Sequence, residues 1–170
     1  MTDRARFCMA CGARLRTVDD NGRRRRRCAR CGWTFYDNPA LASCAVIRRR
    51  GRVLLARRAN PPYAGLWDLP GGFIEAGERP EAALRRELRE ELAVRVRQAR
   101  LVAFEPDRYG PGGFPTLTEI YRVALAPGAL RCGDDVSEVR WFREGEIPFR
   151  RVAFASMRRA LRSCLRVSRR

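Results

Sequence analysis

Three glutamates crowd one turn of a helix in this chain, against the side that must be buried, and this placement constrains the fold more than any other feature. The segment from about Pro80 to Leu92 predicts that helix, with proline at its first position and Glu81 in its first turn. Arg79 falls at the N-cap and offers no acceptor to the free N–H groups there. Leu84, Leu88 and Leu92 recur every four residues and form the apolar stripe. At roughly 100° per residue, Glu87 and Glu91 lie about 40° apart on one flank of the stripe, with Glu90 about 60° further round. Like charges one turn apart cost about 0.2–0.5 kcal/mol in water, and more when partly desolvated. An acid-rich surface helix would hold its carboxylates away from the stripe. A hard divalent cation would offset the repulsion and explain the arrangement.

Around this helix the pattern is mostly strands. Ala40–Arg49 and Arg52–Arg58 flank a turn at Arg50-Gly51. A loop at Asn60–Gly65 and a short extended segment at Leu66–Leu69 follow, and Pro70-Gly71-Gly72 ends that segment. Further strands are expected at about Val94–Phe104, Thr116–Leu125 and Val139–Phe142, and a closing helix at about Val152–Val167. That helix places Met157, Leu161 and Leu165 on one face and Arg158, Arg159, Arg162 and Arg166 around the rest; it is expected to pack on a sheet, with no membrane partner. Trp67 reads as core.

The N-terminal end is organised differently. Cys8-x2-Cys11 and Cys28-x2-Cys31 are separated by sixteen residues, and each pair is followed by a glycine, Gly12 or Gly32. This spacing suits a tetrahedral zinc site of two knuckles, with Asp20-Asn21-Gly22 turning the chain between them. Residues 1–37 are therefore expected to form a small zinc ribbon and residues 38–170 a second domain. The opening Met1–Gly12 has no apolar run, so a cytoplasmic protein with reduced thiols is expected. Cys44, Cys132 and Cys164 lack ligand spacing and read as buried small apolar residues. The run Arg23–Arg27 reads as a solvated edge strand, with phosphate-backbone contact as the alternative.

Composition excludes whole classes of chemistry. The chain has no histidine, which removes Ser-His and Cys-His catalysis. A general base must be a carboxylate, tyrosine, thiol or metal-bound hydroxide. All 36 basic residues are arginine against 19 acids, a formal charge of +17. Such a charge invites a nucleic-acid partner, but the complete absence of lysine reads as compositional bias. Residues 71–92 run against the trend, with six glutamates to four arginines.

The pattern Gly72-x5-Glu78-x7-Arg86-Glu87-Leu88-x-Glu90-Glu91-x-Ala93-Val94 resembles the signature of the Nudix hydrolases, which cleave nucleoside diphosphates linked to another moiety. One position departs: the signature has glycine where this chain has Ala93, at the helix end where left-handed geometry favours glycine. The resemblance implies an α/β fold, an α/β/α sandwich around a mixed sheet, here preceded by the four-cysteine zinc ribbon. It implies that Glu87, Glu90 and Glu91 bind magnesium or manganese with the carbonyl of Gly72, that Arg86 positions the carboxylates, and that Glu78 holds the loop to the helix through Arg86. The base varies within the family, and Glu119, Glu105 and Glu91 are all candidates.

A ribbon before such a domain is similar to two subgroups. The NADH pyrophosphatases carry Ser-Gln-Pro-Trp-Pro-Phe-Pro after the signature, where this chain has Tyr109–Pro115 and does not match. The plant-type FAD and ADP-ribose pyrophosphatases and their bacterial relatives are resembled at Tyr36-x-Asn38-Pro39, Tyr63-x-Gly65-x-Trp67, Arg140-Trp141-Phe142, Glu146–Phe149 and Ala153-Phe154-x-Ser156. The implied reaction is magnesium- or manganese-dependent hydrolysis of ADP-ribose or an FAD-like compound, releasing AMP. Tyr109 and Phe114 would stack on a ring and Arg108 would meet phosphate, or the two aromatics pack within their own loop. Three alternatives stay open: an NADH pyrophosphatase, a hydrolase of NAD-capped RNA, and a nucleic-acid-binding ribbon with an inert signature. The ribbon could touch substrate or build a homodimer interface.

Overall fold

Two dipeptides, Asn21-Gly22 (φ 54° and 77°) and Arg50-Gly51 (φ 50° and 70°), have positive φ at both residues, the geometry that joins antiparallel strands through a two-residue turn. In the computed structural model, which describes residues 5–166, the first dipeptide joins β1 (Leu15–Asp20) to β2 (Arg23–Cys28). The second follows β3 (Thr34–Phe35) and joins β4 (Ala40–Arg49) to β5 (Arg52–Arg58). The chain divides into two compact units at Asn38/Pro39.

The first unit is a three-stranded sheet in the order β1-β2-β3, over a small core of Cys8, Leu15 and Cys28 flanked by Trp33 and Phe35. The five-arginine run is therefore the central strand rather than a solvated edge. Its charges are largely engaged within the unit: Arg25 and Arg27 share Asp20 at 3.2 and 3.1 Å, Arg25 lies over the Tyr36 ring, and Arg26 donates to the Ala5 carbonyl and the Thr17 hydroxyl.

The second unit continues with β6 (Trp67–Asp68), β7 (Gly71–Phe73), α1 (Pro80–Leu92), β8 (Val96–Arg108), β9 (Pro115–Leu125), β10 (Val136–Arg143) and α2 (Ala155–Arg166). Its sheet runs β10-β5-β4-β9-β8, with β6 added to β5 and β7 to β4. It is mixed, because β4 and β9 are parallel and the other pairs antiparallel. Alternation along β4 assigns the two layers: Cys44 and Val46 pack with Met157, Ala160 and Leu161 of α2, and Ala45 and Ile47 with Leu84, Leu88 and Leu92 of α1. The three leucines are fully buried, each stabilising the layer by about 1.5–3 kcal/mol. Trp67 is buried against Phe142, with ring centroids 4.9 Å apart at 81°. Among the described residues no helix is long and apolar enough to cross a membrane.

Several boundaries differ from expectation for identifiable reasons. β8 runs on through Pro106 to Arg108, since an edge strand tolerates a proline that a central strand would not. α2 begins at Ala155 because Val152 bridges to Trp67 and the Ala153 N–H donates to the Trp67 carbonyl at 2.8 Å; Val167, its expected end, lies outside the described residues. Cys44 and Cys164 are buried, but Cys132 is exposed. Its neighbours explain this: the N–H groups of Arg131 and Gly133 donate to the Leu92 and Glu91 carbonyls at 3.0 and 2.8 Å, so this loop caps the end of α1 with backbone.

Helix α1 occupies the expected residues, and Arg79 makes no side-chain cap. Its C-terminal cap is Ala93, left-handed at φ 55°, ψ 30°. An L-residue there costs about 1–2 kcal/mol that glycine avoids. Ala93→Gly is therefore expected to stabilise the protein by about 1 kcal/mol, raising Tm by roughly 3 °C; a melting curve that is unchanged or lowered would show that the cap is not strained.

Candidate active site

β4 and β5 pair directly only where Arg48 meets Val53 and Arg49 meets Arg52. Beyond that point they part, β4 taking β7 as its partner and β5 taking β6. A cavity of about 360 Å³ opens between the two arms, lined by Gly71, Gly72, Glu87 and Glu91 from one and by Arg58 and Asp68 from the other.

Arg86 organises the first arm. Its Nε and Nη2 fork onto Glu78 at 3.1 and 3.0 Å, Nη2 also donates to the Phe73 carbonyl at 3.0 Å, and Nη1 donates to Glu87 at 2.7 Å and Glu90 at 3.1 Å. These bonds pull the Glu78 carboxyl below its usual pKa. Glu90 is 55% exposed on its side chain and is absent from the cavity lining.

Glu91 accepts the Gly71 N–H at 2.8 Å, and its pKa is pushed up to about 8, first by burial and then by the nearby charges of Glu87, Asp68 and Asp135, against the pull of that N–H. Burial raises Glu87 as well, opposed by Arg86. Gly72 lies so close that a Cβ there would sit 2.5 Å from the Glu87 carboxylate. Two carboxylates crowded on one wall of a cavity, beside a backbone with no side chain in the way, are a hard-oxygen donor set suited to magnesium or manganese, whose charge would offset their repulsion. The set is not closed by protein atoms alone. Among the described residues only Cys8, Cys11, Cys28 and Cys31 bring three or more potential ligand atoms all within 4.8 Å of one another.

Other sequence candidates are distributed unevenly. Tyr109 lines the cavity, but its ring is stacked on Phe154 at 5.7 Å and on Phe114 at 5.5 Å. Phe114 and Arg108 are absent from the lining, and Arg108 donates to the Gly113 carbonyl of its own loop. Glu119 accepts the Tyr121 hydroxyl and Glu105 pairs with Arg159 at 2.7 Å, both away from the cavity. Among the lining residues that the sequence did not mark as site residues are three charged ones, Arg58, Asp68 and Asp135. Arg58 carried no signal among 36 arginines. Asp68 could have been noticed as the sole acid between Asp37 and Glu75. Asp135 follows the loop that caps α1, and its Oδ1 accepts the Asn60 amide at 2.6 Å.

In the N-terminal unit, the Cys8 and Cys31 sulfurs are 3.5 Å apart, as are those of Cys11 and Cys28. That is far too long for a disulfide and near the roughly 3.8 Å edge of a zinc–thiolate tetrahedron. The N–H groups of Gly12 and Gly32 close the two knuckle turns onto the Cys8 and Cys28 carbonyls. The Cys28 thiol is pulled down to about 7, chiefly by the backbone N–H of Cys31.

The sequence model of the NUDIX domain matches residues 38–164. The chain belongs to the Nudix hydrolase family. An ADP-ribose pyrophosphatase of Methanocaldococcus jannaschii is 35% identical over 118 residues, covering 68% of this chain and 69% of that protein. The NAD-capped RNA hydrolase NudC of Deinococcus radiodurans is 30% identical over 165 residues, 94% of this chain and 56% of that protein. The chain spans about half the length of the NAD-capped RNA hydrolases it matches. A crystal structure of a Nudix hydrolase from Nitrosomonas europaea superposes with a TM-score of 0.72 at 29% identity, covering 92% of this chain and 88% of that one.

The glycines of the Nudix turn separate fold from site. A Cβ on Gly71 would meet the Ser43 carbonyl oxygen at 2.2 Å, at φ +135°, whereas one on Gly72 meets only the end of the Glu87 side chain. Gly71→Ala is expected to cost about 3 kcal/mol or more, lowering Tm by roughly 10 °C. Gly72→Ala is expected to melt within a few degrees of the parent while losing hydrolase activity. Equal losses of Tm in the two variants would contradict this division.

Proposed function

We propose that this Nudix protein hydrolyses the diphosphate bond of a nucleoside diphosphate joined to a second moiety, with ADP-ribose the leading substrate and AMP one product. The observation that carries this reading is the pair of deeply set carboxylates, Glu87 and Glu91, facing one cavity beside the Gly71-Gly72 backbone. The similarity to the archaeal ADP-ribose pyrophosphatase supports the choice of substrate. FAD, suggested by the plant-type resemblance, is the next candidate.

Glu87, Glu90 and Glu91, with the Gly72 carbonyl, would hold magnesium or manganese. Bound there, the metal would screen the diphosphate charge and activate water. Arg86 fixes Glu87 and Glu90 in place, and Glu78 anchors Arg86 to the turn. Of the base candidates, Glu91 is taken up as a metal ligand in this reading and Glu119 and Glu105 are absent from the cavity lining, so Asp135, which lines the cavity with one oxygen on the Asn60 amide, is assigned the role of proton acceptor from the attacking water. Four thiolates at this spacing support a structural zinc in the N-terminal unit, and reduced thiols suit a cytoplasmic protein.

Hydrolysis of an NAD cap on RNA is the second reading, favoured by an alignment with the Deinococcus enzyme that takes in the cysteine unit as well as the Nudix domain. A binding module with an inert signature is disfavoured by the complete set of acids. Turnover of ADP-ribose, FAD, NADH and NAD-capped RNA, compared as kcat/KM at near-physiological salt, separates these readings; ADP-ribose or FAD is expected to lead. Glu91→Gln should lower turnover on the order of a thousandfold and Asp135→Asn roughly a hundredfold, with both variants folded. Full activity in Glu91→Gln would end the mechanism. Elemental analysis is expected to find about one zinc per chain, and Cys8→Ser to impair folding more than chemistry; protein purified under reductant without zinc would refute the ribbon.

A further inference from the structure

Among the described residues, the cavity lining contains acids on both arms, Asp68, Glu75, Glu87, Glu91 and Asp135, and a single cation, Arg58. Arg58 ends β5, across the opening from the turn and helix that carry Glu87 and Glu91. Its guanidinium is fixed in place. Nε donates to the Pro62 carbonyl at 2.8 Å, Nη1 to Asp68 at 3.2 Å and Nη2 to the Tyr109 hydroxyl at 3.3 Å. The group also lies over two rings, 5.3 Å from the centroid of Phe154 and 5.9 Å from that of Tyr109. These contacts use three of the five N–H donors, leaving one hydrogen on each Nη. A guanidinium held on the cavity lining with a hydrogen left on each Nη can donate to the oxygens of a phosphate.

Charge neutralisation of Asp68 alone does not account for this construction. Asp68 already accepts the Leu69 N–H at 2.9 Å, and a desolvated ion pair is a poor source of stability. Two aromatic faces and a backbone carbonyl hold the guanidinium more firmly than pairing requires. Holding it still removes the entropy cost of ordering a long side chain when substrate arrives.

We propose that Arg58 is a specificity-determining residue that takes one phosphate of the substrate's diphosphate, on the arm opposite the carboxylates. The proposal rests on the hydrolase reading and deepens it: substrate phosphorus is recognised from both arms of the opening, so two linked phosphates bind better than one. Asp68, Tyr109 and Phe154 are positioning residues that act through Arg58.

The test uses the full chain with magnesium and two readouts: KM and kcat for ADP-ribose, and the Kd of imidodiphosphate, a non-hydrolysable diphosphate, by calorimetry. Arg58→Gln is expected to raise that Kd about tenfold or more, and to raise KM by more than it lowers kcat. Arg58→Lys keeps the charge without the fork and should fall between; it carries the test alone if the glutamine variant fails to fold. Imidodiphosphate Kd values within twofold of the parent in the folded variants, with only Tm or kcat reduced, would overturn the proposal and leave Arg58 a scaffold residue. Arg58-dependent binding of imidodiphosphate without turnover of ADP-ribose would instead overturn the substrate reading and keep the assignment of Arg58.

Discussion

One guanidinium, that of Arg86, places every donor it has on the turn and helix that make the site. Its five hydrogen bonds reach Glu78 twice, Phe73, Glu87 and Glu90. Without it, three carboxylates on one helical turn would repel one another, and the loop between Phe73 and Pro80 would lose its anchor to α1. The leucine stripe sets the rotation of α1 against the sheet, and Arg86 then sets the turn against α1. From these two constraints follow the approach of Gly72 to Glu87 and the bond from Gly71 to Glu91. Ser43 adds a third tie, its buried hydroxyl donating to the Pro80 carbonyl at 3.0 Å.

The same side-chain type bears on the meaning of the +17 charge. Arginines hold Asp20 in the first unit, Asp68 at the cavity and Glu105 beneath α2, so part of the positive charge is engaged in internal pairs. In a chain without lysine, arginine takes on structural and functional work alike. Net charge is then a poor guide to a polyanion surface, and the position of each guanidinium matters more than their number.

What could be read from the sequence was local. The leucine period, the glycine turns, the cysteine knuckles and the carboxylate spacing depend on residues within one helix or one hairpin, and α1, β4 and β5 occupy the residues expected of them. What could not be read depended on distant pairing. The parting of β4 and β5 follows from their separate partners β7 and β6, and it brings Arg58, Asp68 and Asp135 to one cavity although 77 residues separate the first from the last. Tyr109 carried an aromatic signal, but only the tertiary packing reveals that its ring is taken up by Phe154 and Phe114. The arginine run was legible as a strand; its central place depended on β3 pairing from beyond the second knuckle.

The central claim is that the carboxylates held around the Gly71-Gly72 turn exist to bind a divalent cation. Thermal unfolding of the parent and of Glu91→Gln across a manganese titration tests it directly. Binding to the folded state alone stabilises by about 2.7 kcal/mol at a hundredfold excess over Kd, so the parent should melt at rising temperature as manganese increases and Glu91→Gln should show little change. Equal shifts in the two proteins, or none in either, would contradict the account.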